Sequence, residues 1–348
     1  METTIHQTGM QIWPAYMTSV ARGSSESGIV PATIQIVNEQ KAPARLPFIE
    51  ANTREVELSH LSDDCIIPVF SKDNEVTISH QSFISGMQDA ARVIFPYEDI
   101  TDPAIRVSHV VKGRIPEAMH KPVSELLESD KTIYYERMMF CFEVPSIYQE
   151  VEGCRLNLTI GGVRAYNEQN LYSRKAPERF KIFIGFKNLV CCNMCVSTDG
   201  YMSSLRVMDI QALISAAMDL FRGYDMQRHL ATMAAYKECG MSESQFAQFL
   251  GKCRMYQYLP SRVRKALPEL LLTDTQIGLV ARAYYEDENF GAEGNGAISL
   301  WKVYNLFTGA NKSSYIDNFL DRASNATDVT VGLARALHGD PEYSWFLC

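Results

Sequence analysis

The residues of this chain with chemistry to offer fall into a cysteine run, a scatter of histidines and two basic–aromatic clusters. The run CCNMC, Cys191 to Cys195, contains a C-x-x-C spacing that could hold one edge of a zinc tetrahedron or form a redox pair. Structural zinc takes four ligands, commonly as two spaced pairs. No second C-x-x-C and no H-x-x-x-H is present, and the nearest histidine in sequence is His229. Thioredoxin-type flanks are missing as well. Buried structural thiols at a strand end are therefore expected, with no metal and no cofactor. Ser108-His109 and His120 form the densest histidine group, but no acid or nucleophile is placed to complete a catalytic set. Patterns of the G-x-S-x-G, H-E-x-x-H and G-x-G-x-x-G kind are absent, so an enzyme is the less favoured reading.

The basic clusters carry more information. The first holds Arg164, Arg174, Lys175, Arg179, Lys181 and Lys187 against Glu168 and Glu178, with Tyr166 and Tyr172 interleaved. The second, GKCRMYQYLPSRVRK, holds Lys252, Arg254, Arg262, Arg264 and Lys265 with Tyr256 and Tyr258 and no acidic residue. Cations that neutralise phosphates beside rings on which bases stack are what sequence-tolerant single-strand binding requires. The bland reading of both clusters is a solvated face of ordinary sheet and helix. TGANKSS, Thr308 to Ser314, has no Gly before Lys312 and follows a helical pattern, which excludes a phosphate loop. It reads as a helix–helix connection, with Gly309 ending one helix and Ser313 or Ser314 capping the next.

Composition limits the classes. The chain has 348 residues, is 46% hydrophobic and 21% charged, and carries a formal charge of -8. That is a soluble globular composition without a uniformly basic coat. Residues 1–100 hold six Lys/Arg and thirteen Asp/Glu, so much of the acidic excess lies there. No apolar run approaches the ~18 residues of a membrane span, and the N-terminus lacks the basic and apolar regions of a secretory signal. Nine cysteines, odd in number and scattered, are no disulfide framework. A cytoplasmic protein with reduced thiols is expected.

The elements that must position these residues centre on Ile133 to Tyr201. IYYERMMFCFEVP alternates, RLNLTIGGVRAYN places Leu156, Leu158 and Ile160 on one face, and FKIFIGFKNLV is apolar for longer, like a strand covered on both sides. Glu152-Gly153 and the polar segment after Gly161-Gly162 supply the turns. Residues 1–47 read as a disordered tail, with a short strand conceivable in ATIQIV. IIPVF, EVTIS and IRVSHVV read as strands, HQSFISGMQDAARVIF as a helix capped by Ser79, and KPVSELLES as a short helix. Beyond residue 204 the pattern turns helical, with capping-box spacing at Ser242/Gln245 and Thr273/Gln276. AISLWKVYNLFTG, SSYIDNFLDRA and ATDVTVGLARALHG read as further helices, and YSWFLC is apolar enough to dock on a core. The fold expected is α+β: a mostly antiparallel sheet with helices over 48–204, then a helical region over 205–348 packed on it in one continuous core.

Roughly residues 48–348 resemble a domain-of-unknown-function family carried by conjugative elements and phages of gut anaerobes. FIEANTREVELSHLSDDC, IRVSHVVKGRIPEAMHKP, IGGVRAYNEQNLYSRK, FKIFIGFKNLVCCNMCVSTDG and LWKVYNLFTGANKSSYIDNFLDRASNAT are among the segments that carry the resemblance. More distantly the chain is similar to the phage/plasmid-like protein family. There a strand ending Val-Cys-x-Asn, here Val190 to Asn193, precedes a Trp-x-x-Tyr/Leu-Asn helix, here Trp301 to Asn305. The resemblance implies a mobile-element gene in a bacterial cytoplasm and transfers no catalytic residue. Two functions are expected from different classes. One is non-enzymatic binding or annealing of single-stranded nucleic acid. The other is a protein-binding module, such as an inhibitor or decoy of a host defence system.

Overall fold

The computed structural model describes residues 47–65, 77–118, 120–168 and 176–348. The tail over residues 1–46, the proposed strand Ile66–Phe70 and the segment 169–175 lie outside the described residues. The folded sequence opens at Phe48 and Ile49, both buried.

Among the described residues the principal sheet is antiparallel and has seven strands. In spatial order they are β1 (Arg54–Val56), β2 (Ala104–Val107), β5 (Arg137–Val151), β6 (Cys154–Ala165), β7 (Glu178–Asn188) and β8 (Met194–Cys195), with β9 (Tyr201–Val207) also paired to β7. The β5–β6 hairpin turns at Glu152 and Gly153, whose φ angles of 50° and 71° match a two-residue turn needing positive φ at both positions. Two expectations are corrected here. IYYERMMFCFEVP is not one strand, because β4 (Lys131–Tyr135) breaks at Glu136 and pairs instead with β3 (Val110–Arg114) in a separate two-stranded sheet. IRVSHVV divides in the same way between β2 and β3 around Ser108-His109. The turn read in the polar segment after Gly161-Gly162 does follow, beyond Ala165, while the two glycines themselves lie inside β6. A Cβ on Gly161 would lie 2.1 Å from the carbonyl oxygen of Phe140, and one on Gly162 2.5 Å from the Phe83 ring. The glycines let neighbouring backbone and ring approach a strand that continues to Ala165.

Both faces of this sheet are covered. After α1 (Leu58–Asp63), helix α2 (His80–Ile94) starts at the Ser79 side chain, which accepts from the Ser82 N–H. Its Phe83, Ile84 and Met87 join Phe140, Ile160, Ile182 and Ile184 in the larger apolar cluster. Helix α3 (Ile210–Gly223) packs beside α2, with Ile210 against Gly86. The opposite face meets α9 (Ile316–Leu337): Phe319, Leu320 and Ala323 pack with Met139, Cys141, Val163 and Phe183. Alternate residues of β5 serve the two clusters, which is why the strand reads as an apolar run.

The rest is helical: α4 (Met226–Ala235), α5 (Glu243–Tyr256), α6 (Ser261–Arg264), α7 (Asp274–Glu286) and α8 (Leu300–Asn311). A small ladder of β10 (Gly240–Met241) and β11 (Ile298–Ser299) ties α5 to α8. Both capping boxes form, at Ser242/Gln245 and Thr273/Gln276. KPVSELLES gives only 3₁₀ turns at Val123–Glu125 and Glu128–Asp130. SSYIDNFLDRA and ATDVTVGLARALHG are one helix of 22 residues, α9. Gly309 does not end α8, and neither Ser313 nor Ser314 caps α9, whose N-cap is Tyr315. The Ser314 hydroxyl instead donates to Asn311 Oδ1 and accepts from Gln276 and Arg322. The C-terminal Phe346 is buried against Phe249 and Tyr256. The larger cluster runs from Leu61 to Phe346 and so joins sheet and helices. The fold is α+β.

Candidate nucleic-acid interface

The two basic clusters meet different fates. In the first, Arg164 is fully buried on β6, its guanidinium donating to the Glu178 carboxylate of β7. The ring centroids of Tyr166 and Phe180 lie 4.4 and 4.7 Å from it. Tyr166 is 2% exposed, and burial pushes its hydroxyl well above the usual phenol range. Arg164 and Tyr166 are thus core residues rather than surface contacts for a strand of nucleic acid. The cause is the partner on the next strand, since a paired and ring-clamped guanidinium can be enclosed where a bare one cannot.

Lys181 and Lys187 reach the surface only in part and serve the fold. Lys181 donates to Asp321 at 2.7 Å and to the Asp317 carbonyl at 2.5 Å, which ties β7 to α9. Lys187 donates to Glu143 at 2.7 Å, and Asn157 holds the other oxygen of that carboxylate at 2.7 Å. Arg179 is exposed. Tyr172, Arg174 and Lys175 lie outside the described residues.

The second cluster stays at the surface. Helix α5 delivers it, with Phe246, Phe249, Cys253 and Tyr256 inward. Tyr256 belongs to that buried face, packed against Trp345 and Phe346, and is not available for stacking. Lys252 lies over the Trp345 ring at 4.8 Å. Arg254 makes two bonds to Asp274 at the start of α7, at 2.7 and 3.0 Å. The chain then turns at Pro260 into α6. Arg262, Arg264 and Lys265 stand exposed there, with no ion pair to any described residue. Tyr258 is 80% exposed, and the apolar Met255 and Val263 are exposed beside it in sequence. Among the described residues, the carboxylate that pairs with segment 254–265 is Asp274, which Arg254 neutralises. The segment therefore presents exposed cations and one exposed ring, Tyr258.

The CCNMC run closes the turn after β7 and continues into β8, with Cys192 at φ 57°. Burial pushes the thiols of Cys191 and Cys195 up to about 12, so neither is a thiolate near neutral pH. The described residues hold no group of His, Cys, Asp and Glu arranged for a metal ion. What residue-by-residue reading missed is a contact across the turn. Asn193 Nδ2 donates to the Asn305 carbonyl at 3.0 Å, and Asn188 Nδ2 to Asn305 Oδ1 at 3.1 Å. The signal was present in the Val-Cys-x-Asn and Trp-x-x-Tyr-Asn segments, whose asparagines the fold joins.

A family model described as "Domain of unknown function, B. Theta Gene description (DUF3871)" matches residues 31–347. The chain belongs to this family. The match spans every described element from β1 to the last 3₁₀ turn, so the family is defined by the whole α+β unit rather than by one motif. No curated protein and no solved structure matches the chain. Among the described residues no helix is long and apolar enough to cross a membrane.

Proposed function

We propose that the protein binds single-stranded nucleic acid, weakly and with little sequence preference, through the exposed segment at 254–265. One observation carries this reading: Arg262, Arg264 and Lys265 have no described ion-pair partner and stand near the exposed Tyr258. Three phosphate contacts and one stacked base form a small site, and the charge of -8 opposes it over longer range. Binding is then local and sensitive to salt. The setting we propose is a mobile genetic element in a bacterial cytoplasm, with the protein as a strand-binding or annealing accessory.

The test is fluorescence anisotropy of a labelled oligothymidylate across a salt series. Three contacts give a slope of log affinity against log salt near -2, at about -0.7 per phosphate. Replacing Arg262, Arg264 and Lys265 together by Ala removes most of that slope. Tyr258→Ala costs about 1–3 kcal/mol of binding if the ring stacks on a base. An unchanged slope in the triple variant, or no binding at ~50 mM salt, where phosphate contacts are strongest, rejects the proposal. The exposed Met255 and Val263 favour a second reading, an acidic partner protein met by the same surface, as in an inhibitor or decoy of a host defence system.

A further inference from the structure

One cation of the 254–265 segment is already engaged. Arg254 presents an edge of its guanidinium to Asp274, with Nε donating to Oδ1 at 2.7 Å and Nη2 to Oδ2 at 3.0 Å. Two parallel bonds to two oxygens are also how a guanidinium grips a phosphate, so the carboxylate stands where a phosphate would bind. The pair is open to solvent, with the Arg254 side chain 65% and the Asp274 side chain 38% exposed. An ion pair so exposed adds little to stability. Nor is it what joins α5 to the approach to α7. Gln257 Nε2 donates to the Leu272 carbonyl at 3.2 Å, and Leu270 and Leu272 are buried in the larger apolar cluster.

Asp274 is itself well placed to keep its charge. It is the first residue of α7, directly after the Thr273 cap, where the unpaired N–H groups of a helix favour an anion. Asp274 chiefly, and the Tyr258 hydroxyl to a smaller degree, hold the Arg254 guanidinium above its ordinary range, so Arg254 lies beside the exposed ring. The other charged groups near the pair are engaged elsewhere or stand apart. Lys252 lies over Trp345, and Arg322 donates to the Leu271 carbonyl and the Ser314 hydroxyl. Glu269 is exposed, without an ion pair to any described residue. On the reading that a strand binds at 254–265, we infer that Asp274 is a built-in competitor for its phosphates, keeping Arg254 in reserve and the site weak. The carboxylate is tethered at bonding distance, whereas a phosphate must displace it and then lie beside its charge, and like charges set together are costly.

The experiment is oligothymidylate anisotropy across a salt series, on the full chain as wild type, Asp274→Asn, Glu269→Gln, and Asp274→Asn combined with Arg254→Ala. Asparagine keeps the shape of Asp274 and removes its charge, and Thr273 with Gln276 still caps α7. Freeing Arg254 adds a fourth phosphate contact. The slope of log affinity against log salt is expected to steepen from about -2 to about -3, at about -0.7 per contact. The same coefficient gives a gain of about eightfold at ~50 mM salt that shrinks to about threefold at ~200 mM. The double variant is expected to return to the wild-type slope. Glu269→Gln removes one exposed charge from the same region and is expected to keep the wild-type slope. A slope in Asp274→Asn equal to wild type, or equal steepening in Asp274→Asn and Glu269→Gln, overturns the inference and leaves strand binding in place. So does a double variant as steep as Asp274→Asn. Absence of binding in wild type and Asp274→Asn alike overturns both.

Discussion

At the scale of the residue, identical side chains in this chain do opposite work. Arg164 and Arg264 both lie in basic runs of the sequence, yet one is wholly buried and the other exposed. Burial of Arg164 depends on Glu178, which also accepts the Ile78 N–H at 3.1 Å. Removing one member of such a pair leaves an uncompensated charge in the core. Arg164→Ala is therefore expected to lower stability in urea by about 3–5 kcal/mol. Arg264→Ala should stay within about 0.5 kcal/mol, as surface changes do. Equal effects of the two substitutions would contradict this division of the cations. A linear reading could not make it, because what encloses Arg164 is a carboxylate on the neighbouring strand and the rings of Tyr166 and Phe180.

At the scale of the element, local signals and non-local ones part company. Ser79, Ser242 and Thr273 cap helices where their spacing says they should, because a cap is made within four residues. The Glu152-Gly153 hairpin is equally local. The break at Glu136 is not, since it reflects two strands choosing different sheets, and the residues that decide it, β2 and β3, lie far back in the chain. The asparagine contact from β7–β8 to α8 escaped for the same reason, as 112 residues separate Asn193 from Asn305. Gly161 shows the non-local case at a single position: it is a strand residue pressed against the neighbouring strand's backbone. Gly161→Ala pushes a Cβ to 2.1 Å from the Phe140 carbonyl oxygen, which belongs to the backbone and cannot rotate away. The β5–β6 ladder must shift, at a cost of about 1–3 kcal/mol by analogy with other overpacked cores. Thermal unfolding should show it, and an unchanged midpoint would mean the sheet relaxes freely at this site.

At the scale of the whole molecule, the larger apolar cluster carries side chains of sheet and helices alike, so unfolding is expected as one cooperative transition. Two buried histidines make that transition sensitive to pH. His229 on α4 is 3% exposed, its Nδ1 against the Tyr224 hydroxyl at 2.7 Å and its ring edge-on to Phe186 of β7. Burial is the main cause that lowers it to about 4, aided by Arg228 and opposed by Asp199. His80, between Arg164 and the Tyr135 carbonyl, is lowered for the same chief reason, burial. Each therefore stays neutral in the folded protein while the unfolded chain takes up a proton near 6.5. The stability both contribute is complete above pH 6.5 and declines as pH falls, for His229 until about pH 4. The slope is about 1.4 kcal/mol per pH unit for each histidine. Tyr224 supplies no countercharge to a protonated ring, because burial keeps its hydroxyl protonated. Between pH 6.5 and 5 most carboxylates are still ionised, so the histidines dominate the change. Urea unfolding followed by tryptophan fluorescence should lose stability across that window, and His229→Gln should remove about half of the slope. A flat profile from pH 6.5 to 5 would show that protons reach these rings in the folded state at no cost.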